Sequence, residues 1–167
     1  MAGVTEEPDR SGASSPGATS VRRALPEDAA SLAKIARHAY EPYVHRIGRE
    51  PAPMSDDYAS LVRQGDVWVA ENGSGLVGLL VLEPANDHLL VQNVAVAPEA
   101  QGLGLGGLLL EVAEDQARLL GLPELRLYTN MAMEENLAYY PRRGYQEIER
   151  ITQDGYHRVV FRKLLDG

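Results

Sequence analysis

A chain of 167 residues has the length of one domain around one hydrophobic core. Its 44% apolar and 24% charged residues exclude a collagen-like, wholly disordered or disulfide-scaffold protein. The 16 Lys and Arg against 24 Asp and Glu leave a net charge of -8, which repels phosphate backbones and argues against a nucleic-acid partner, and the absence of cysteine excludes thiol nucleophiles and thiolate metal ligands.

His38, His45, His88 and His157 show no metal-ligand spacing, so no metal is expected. Met1 to Pro8 carries acids rather than a basic leader, and no apolar run approaches the ~18 residues of a membrane span. A cytoplasmic protein with no membrane partner is the expectation.

Residues 1–18 are Gly, Ser, Pro, Ala and acids that cannot offset ordering entropy by burial, so they read as a disordered tail before a domain over 19–167. A first strand is expected at Val21–Leu25, then a helix opening at Pro26-Glu27-Asp28 and running to about Tyr40. Tyr43–Pro53, with a Gly and two Pro, reads as a loop or broken helix. A short helix over Ser55–Gln64 precedes apolar runs at Val67–Glu71, Leu76–Leu82 and Leu89–Val96, whose short connectors predict an antiparallel meander. The stripe Leu109, Val112, Ala113, Ala117, Leu120, stopped by Gly121, predicts a helix over Gly106–Leu120. The next strand, Leu125–Thr129, is reached across that helix and should lie parallel to Leu89–Val96. A short helix near Asn136–Arg143 and a hairpin of Tyr145–Arg150 with His157–Leu164 complete a mixed, mainly antiparallel sheet in an α+β, three-layer α/β/α fold. Met131 and Met133 read as core fillers.

Chemistry concentrates in Asn93 to Gly107, a strand end, a proline turn and a Gly-rich loop opening the long helix. Convergent backbone N–H groups and the helix dipole suit a pyrophosphate there. Gly102, Gly104 and Gly107 fit G-x-G-x-x-G, but a dinucleotide fold would place the glycines after its first strand and an acid where Thr129-Asn130 stands. A Walker loop fails because no Gly-Lys-Ser/Thr follows.

Val96, Pro98, Gln101, Gly102, Gly104 and Gly106 instead match the pattern V-x-P-x-x-Q/R-G-x-G-x-G/A, and Tyr140-Pro141-Arg142-Arg143-Gly144-Tyr145 matches a later Y-x-x-x-G-F/Y. The chain thereby resembles the GCN5-related N-acetyltransferase (GNAT) family from about Ser20 to Leu164, and the fold implied is the acyl-CoA N-acyltransferase fold. The resemblance implies acetyl-CoA as co-substrate, with Val94, Ala95 and Val96 offering backbone groups to its pantetheine. Gln101, Gly102, Gly104, Gly106 and Gly107, with Leu103 and Leu105 between them, would cradle the pyrophosphate, and Asn136 is similar to an asparagine that bonds the cofactor in relatives. The Leu89 and Leu125 strands are expected to splay into a cleft where thioester and amine meet.

In such a reaction Tyr140 is placed to give the departing thiolate its proton, and a strand N–H at Asn93 or Val94 to polarise the carbonyl. Taken alone Tyr140 would read as a core tyrosine; the matched Gly144-Tyr145 context favours the donor. Many relatives carry a glutamate base where Gln92 stands here, so a water relay or a carboxylate such as Glu134 must substitute. Tyr43, Arg46, Arg49 and Asn130 are expected near the amine acceptor, a small molecule or peptide, while Arg142 and Arg143 are either helix-end charges or phosphate contacts. The acceptor is not specified by the sequence, and a homodimer is left open. A non-catalytic acyl-CoA-binding module is the alternative, supported only by Gln92.

Overall fold

The computed structural model describes residues 2–3 and 18–166, so the expected tail lies outside the described residues except at Ala2 and Gly3. An eight-stranded mixed sheet forms the centre, with strands β1 (Ala2–Gly3), β2 (Ser20–Arg23), β3 (Val67–Asn72), β4 (Gly75–Pro84), β5 (Leu89–Val96), β6 (Glu124–Asn130), β7 (Gln146–Gln153) and β8 (Tyr156–Leu164). The helices are α1 (Ala29–Ile47), α2 (Tyr58–Gln64), α3 (Leu105–Leu119) and α4 (Glu134–Arg142). The spatial order is β2-β3-β4-β5-β6-β8-β7, with β1 set parallel against β5. The expected meander β3-β4-β5 and the parallel β5–β6 pair are both present.

Two cores lie on opposite faces, which is the physical content of the three layers. On one, α3 sets Leu109, Leu110, Ala113 and Ala117 against Leu80, Val91, Val94 and Leu127. Gly78 of β4 allows this approach, since a Cβ there would meet Leu109 Cδ1 at 3.1 Å and the Ala95 carbonyl oxygen at 3.3 Å. On the other, α1 and α2 cover the sheet with Leu32, Ala36, Tyr40, Tyr43, Tyr58 and Val62 over Val69, Leu79 and Ala95.

Two elements differ from expectation: Ala2–Gly3, within the segment read as a disordered tail, pairs with β5 as β1, and α1 is longer than its pattern suggests. Helix α1 does not end at Tyr40; it continues through Pro42 to Ile47 and stops at Gly48, whose φ of 87° is left-handed. Pro42 and His38 are exposed, so the carbonyl that proline leaves without a helical partner can be solvated, while burial of Tyr43 holds the extra turns on the core. Met133 is fully buried as expected, but Met131 is 39% exposed. Among the described residues, no helix is long and apolar enough to cross a membrane, and no group of three or more His, Asp or Glu could hold a metal ion.

Candidate active site

The site begins where the sheet opens. β5 and β6 pair only over Leu89–Val91 and Leu125–Leu127, while β6 continues against β8 as far as Asn130. A register shift between Val81 and Leu82 on β4, opposite Asn93 and Val91, inserts Gln92 as an extra residue in β5. Such a bulge raises local twist and turns a strand away from its neighbour. Beyond it the β5 edge over Val94, Ala95 and Val96 borders a cleft on the β6 side.

At the far end of that edge, Gln101 Nε2 donates to the Val96 carbonyl at 3.3 Å, fastening the loop to the strand. Gly102 and Gly104 adopt left-handed φ of 82° and 80°, conformations that glycine accepts without a Cβ penalty. Gly102 and Leu103 are exposed, Leu105, Gly106 and Gly107 are buried, and no side chain caps the N-terminus of α3. Arg143 brings its guanidinium over this turn: a Cβ on Gly107 would lie 2.8 Å from its Nη1. A helix N-terminus and a nearby guanidinium both favour negative charge at this spot.

Tyr140 stands fully buried in an aromatic cluster, its ring centroid 5.2 Å from Tyr139, 5.5 Å from Tyr145 and 5.7 Å from Phe161. Its hydroxyl has no hydrogen-bond partner among the described residues. Burial pushes its ionisation well above the usual tyrosine value of 10.0, so it is a proton carrier at every physiological pH. Asn136 is buried one turn earlier on α4 and donates to Thr129 Oγ1 at 3.1 Å, tying that helix to the end of β6.

Asn93 is the centre of a second network. Tyr40 donates to its Oδ1 at 2.5 Å, its Nδ2 donates to the Tyr58 hydroxyl at 3.1 Å, and Tyr58 donates to the Pro53 carbonyl at 2.6 Å. This side chain therefore binds α1 and α2 to the bulged strand, leaving only its main chain for any part in chemistry. Gln92 lines a cavity of about 220 Å³ with Asp66 and Glu83 among its walls. Glu134 is exposed at the first turn of α4.

The expected acceptor residues divide. Arg46 and Asn130 line a groove of about 300 Å³ with Ile47, Met131, Ala132, Gly155 and His157, formed by the end of α1, the end of β6 and the β7–β8 hairpin. Arg46 also bonds both Glu135 carboxylate oxygens, at 2.7 and 2.9 Å, and lies 5.2 Å above the Tyr43 ring. Asn130 spends its Oδ1 on the Ala132 N–H at 2.9 Å. Tyr43 is buried beneath Arg46 rather than in the groove wall. Arg49 is engaged by the hairpin: its guanidinium stacks 3.5 Å from the Tyr156 centroid and bonds the Asp154 carbonyl.

Sequence reasoning missed Asp56, Tyr128 and Arg158. Asp56 precedes the α2 cap, is half-buried, and has its carboxyl pushed above the ordinary range by desolvation. Its charge adds to the effect of burial in raising the ionisation of Tyr58. Arg158 is buried between the rings of Tyr128 and Tyr156, at 4.5 and 5.5 Å. No spacing in the sequence links these residues, which come from separate elements.

A splayed parallel strand pair beside a Gly-rich helix start defines the acyl-CoA N-acyltransferase fold, and comparison with known proteins agrees. Residues 63–147, just over half of the chain, match the model of the acetyltransferase (GNAT) domain; the chain belongs to the GNAT family. It is 30% identical over 86 residues to N-acetyltransferase family 8 member 3 of Rattus norvegicus, an alignment spanning 48% of this chain and 38% of the rat protein. A GCN5-related N-acetyltransferase from Rhodopseudomonas palustris is similar in structure, with a TM-score of 0.75 at 22% identity over 92% of this chain and 100% of that one. The PaiA N-acetyltransferase of Thermoplasma acidophilum, solved with coenzyme A, gives a TM-score of 0.69 at 19% identity over 89% and 99%.

Proposed function

We propose that the protein is an N-acetyltransferase that moves the acetyl group of acetyl-CoA to a primary amine by direct attack in a ternary complex. The observation that carries this reading is the buried Tyr140 hydroxyl, without a partner among the described residues, in a sheet whose β5 and β6 part after Val91 and Leu127. A buried hydroxyl without a partner costs about 1–3 kcal/mol, and a donor kept protonated suits a sulfur that leaves as thiolate. The residues fit the co-substrate: the β5 edge takes its amides and the N-terminus of α3 with Arg143 takes its phosphates. The relatives named above are N-acetyltransferases, which supports an amine as acceptor.

Acetyl-CoA supplies a thioester carbonyl open to attack by an uncharged amine. Main-chain N–H groups at Asn93 or Val94 polarise that carbonyl, and Tyr140 delivers the proton to sulfur. Gln92 cannot take the ammonium proton and Glu134 faces solvent, so we assign that proton to Asp56. Its half-buried carboxylate lies two residues before Tyr58, whose hydroxyl accepts from Asn93, and the same desolvation that raises its ionisation makes it a better base. The groove lined by Arg46, Asn130 and His157 receives the body of the acceptor.

The test is to follow free thiol release from acetyl-CoA against a panel of amines, with mass detection of acetylated products. Amine-dependent thiol release with matching product is expected. Acetyl-CoA binding without turnover on any amine would favour the non-catalytic acyl-CoA module instead.

A further inference from the structure

The β5 edge beyond Val91 is not left open to solvent. Ala2–Gly3 runs parallel to it as β1, with Ala2 opposite Val94 and Gly3 opposite Ala95, and it contacts β6 as well. The segment therefore sits in the wedge where β5 and β6 part company after Val91 and Leu127. Ala-Gly is a pair of residue types that lets one main chain run close between two others.

We propose that this cleft is a peptide-binding groove whose occupant is the chain's own Ala2–Gly3 segment, and that this segment and the pantetheine arm of acetyl-CoA exclude one another. The inference rests on the reading above that acetyl-CoA lies along β5. A strand edge offers each N–H and C=O once, and of Val94 and Ala95, opposite Leu80 and Leu79 of β4, one turns both its main-chain groups to β4. Only the remaining groups face the wedge, so a peptide backbone and a pantetheine amide compete for the same few bonds. A two-residue strand is weak by itself, but a tethered segment acts at high effective concentration and can hold a site that a free peptide of the same sequence would fill only poorly. The apparent affinity for acetyl-CoA then falls by the fraction of molecules whose cleft is clear.

Gly3→Pro in the full chain tests this. Proline either removes an N–H from the pairing with β5 or forces a ring into the wedge against β6, so the segment is displaced in both cases. Calorimetry with acetyl-CoA should show binding tightened by about 3- to 10-fold in Gly3→Pro. A peptide of sequence Ala-Gly-Val-Thr, added to the variant, should weaken it again competitively. Hydrogen exchange without acetyl-CoA supplies a readout independent of the cofactor: whichever of the Val94 and Ala95 amides faces the wedge should exchange faster in Gly3→Pro. Equal acetyl-CoA affinity in the two proteins, with unchanged exchange, would overturn the proposal while leaving the cofactor assignment intact. Binding of acetyl-CoA to neither protein would overturn the cofactor assignment and the exclusion together.

Discussion

Tyr140→Phe separates chemistry from packing at the buried phenol. The ring keeps its edge-to-face contacts with Tyr139 and Tyr145 at 5.2 and 5.5 Å, and only a hydroxyl without a partner among the described residues is lost. Removing such a group recovers part of its burial cost, so the variant should be more stable by about 1 kcal/mol, or roughly 2–4 °C in Tm for a chain of this size. Turnover with a competent amine should fall by ~10²- to 10⁴-fold, the range for one positioned general acid, with kcat and kcat/KM dropping together. Acetyl-CoA affinity should hold. Because burial lifts this phenol well above 10.0, its ionisation lies beyond the alkaline limb of an ordinary pH–rate profile, so the variant should lose rate without losing that limb. Thermal melts and stopped-time thiol assays on the two proteins give all of these quantities. Near-wild-type kcat in Tyr140→Phe would refute the assignment and leave solvent as the proton source.

Other expectations are equally direct. Asp56→Asn should lower kcat/KM at neutral pH and abolish the acidic limb of its pH profile, which in the wild type should lie above the ordinary aspartate value because desolvation raises this carboxyl; a persisting limb would move the base elsewhere. Arg143→Ala should raise the dissociation constant for CoA by about 10-fold, near 1.4 kcal/mol, and leave the affinity for pantetheine, which lacks the pyrophosphate, unchanged. Gly104→Val places a β-branched residue at φ of 80°, so both Tm and CoA affinity should fall, the latter at least ~10-fold. Asp28 is buried, accepts from Arg22 at 2.8 Å and from the Leu25 N–H at 2.8 Å, and its carboxyl is held below the ordinary value first by the Arg22 bond. Its contribution to stability is therefore present above the unfolded aspartate pKa of ~3.9 and lost as pH falls through the lower folded value; Asp28→Asn should flatten the acid part of a denaturation series.

The parts of this molecule legible in the sequence are those governed by local rules. Alternating and 3.6-period patterns placed β3, β4, β5 and α3, and the glycines at 102 and 104 marked a turn that the backbone adopts with positive φ. Helix α1 escaped because Pro42 and Gly48 look like breakers locally, whereas burial of Tyr43 and solvent at His38 decide the matter in three dimensions. The motif singles out Tyr140, whereas the lack of a partner for its hydroxyl among the described residues is a property of packing alone. Tyr128 and Arg158 carry no shared spacing; they meet because β6 lies beside β8. Arg143 reaches Gly107 from the far side of the chain for the same kind of reason. Ala2–Gly3 has no strand signature, since what recruits it is an unpaired edge made elsewhere.

Acetyl transfer to an amine can be followed with acetyl-CoA carrying a carbon-13 acetyl group, incubated with the protein and an amine panel. Labelled acetyl amide and free CoA should appear in equal amounts, both requiring the protein and the amine. Saturable acetyl-CoA binding with no labelled amide on any amine, or CoA release that ignores the amine, would contradict it.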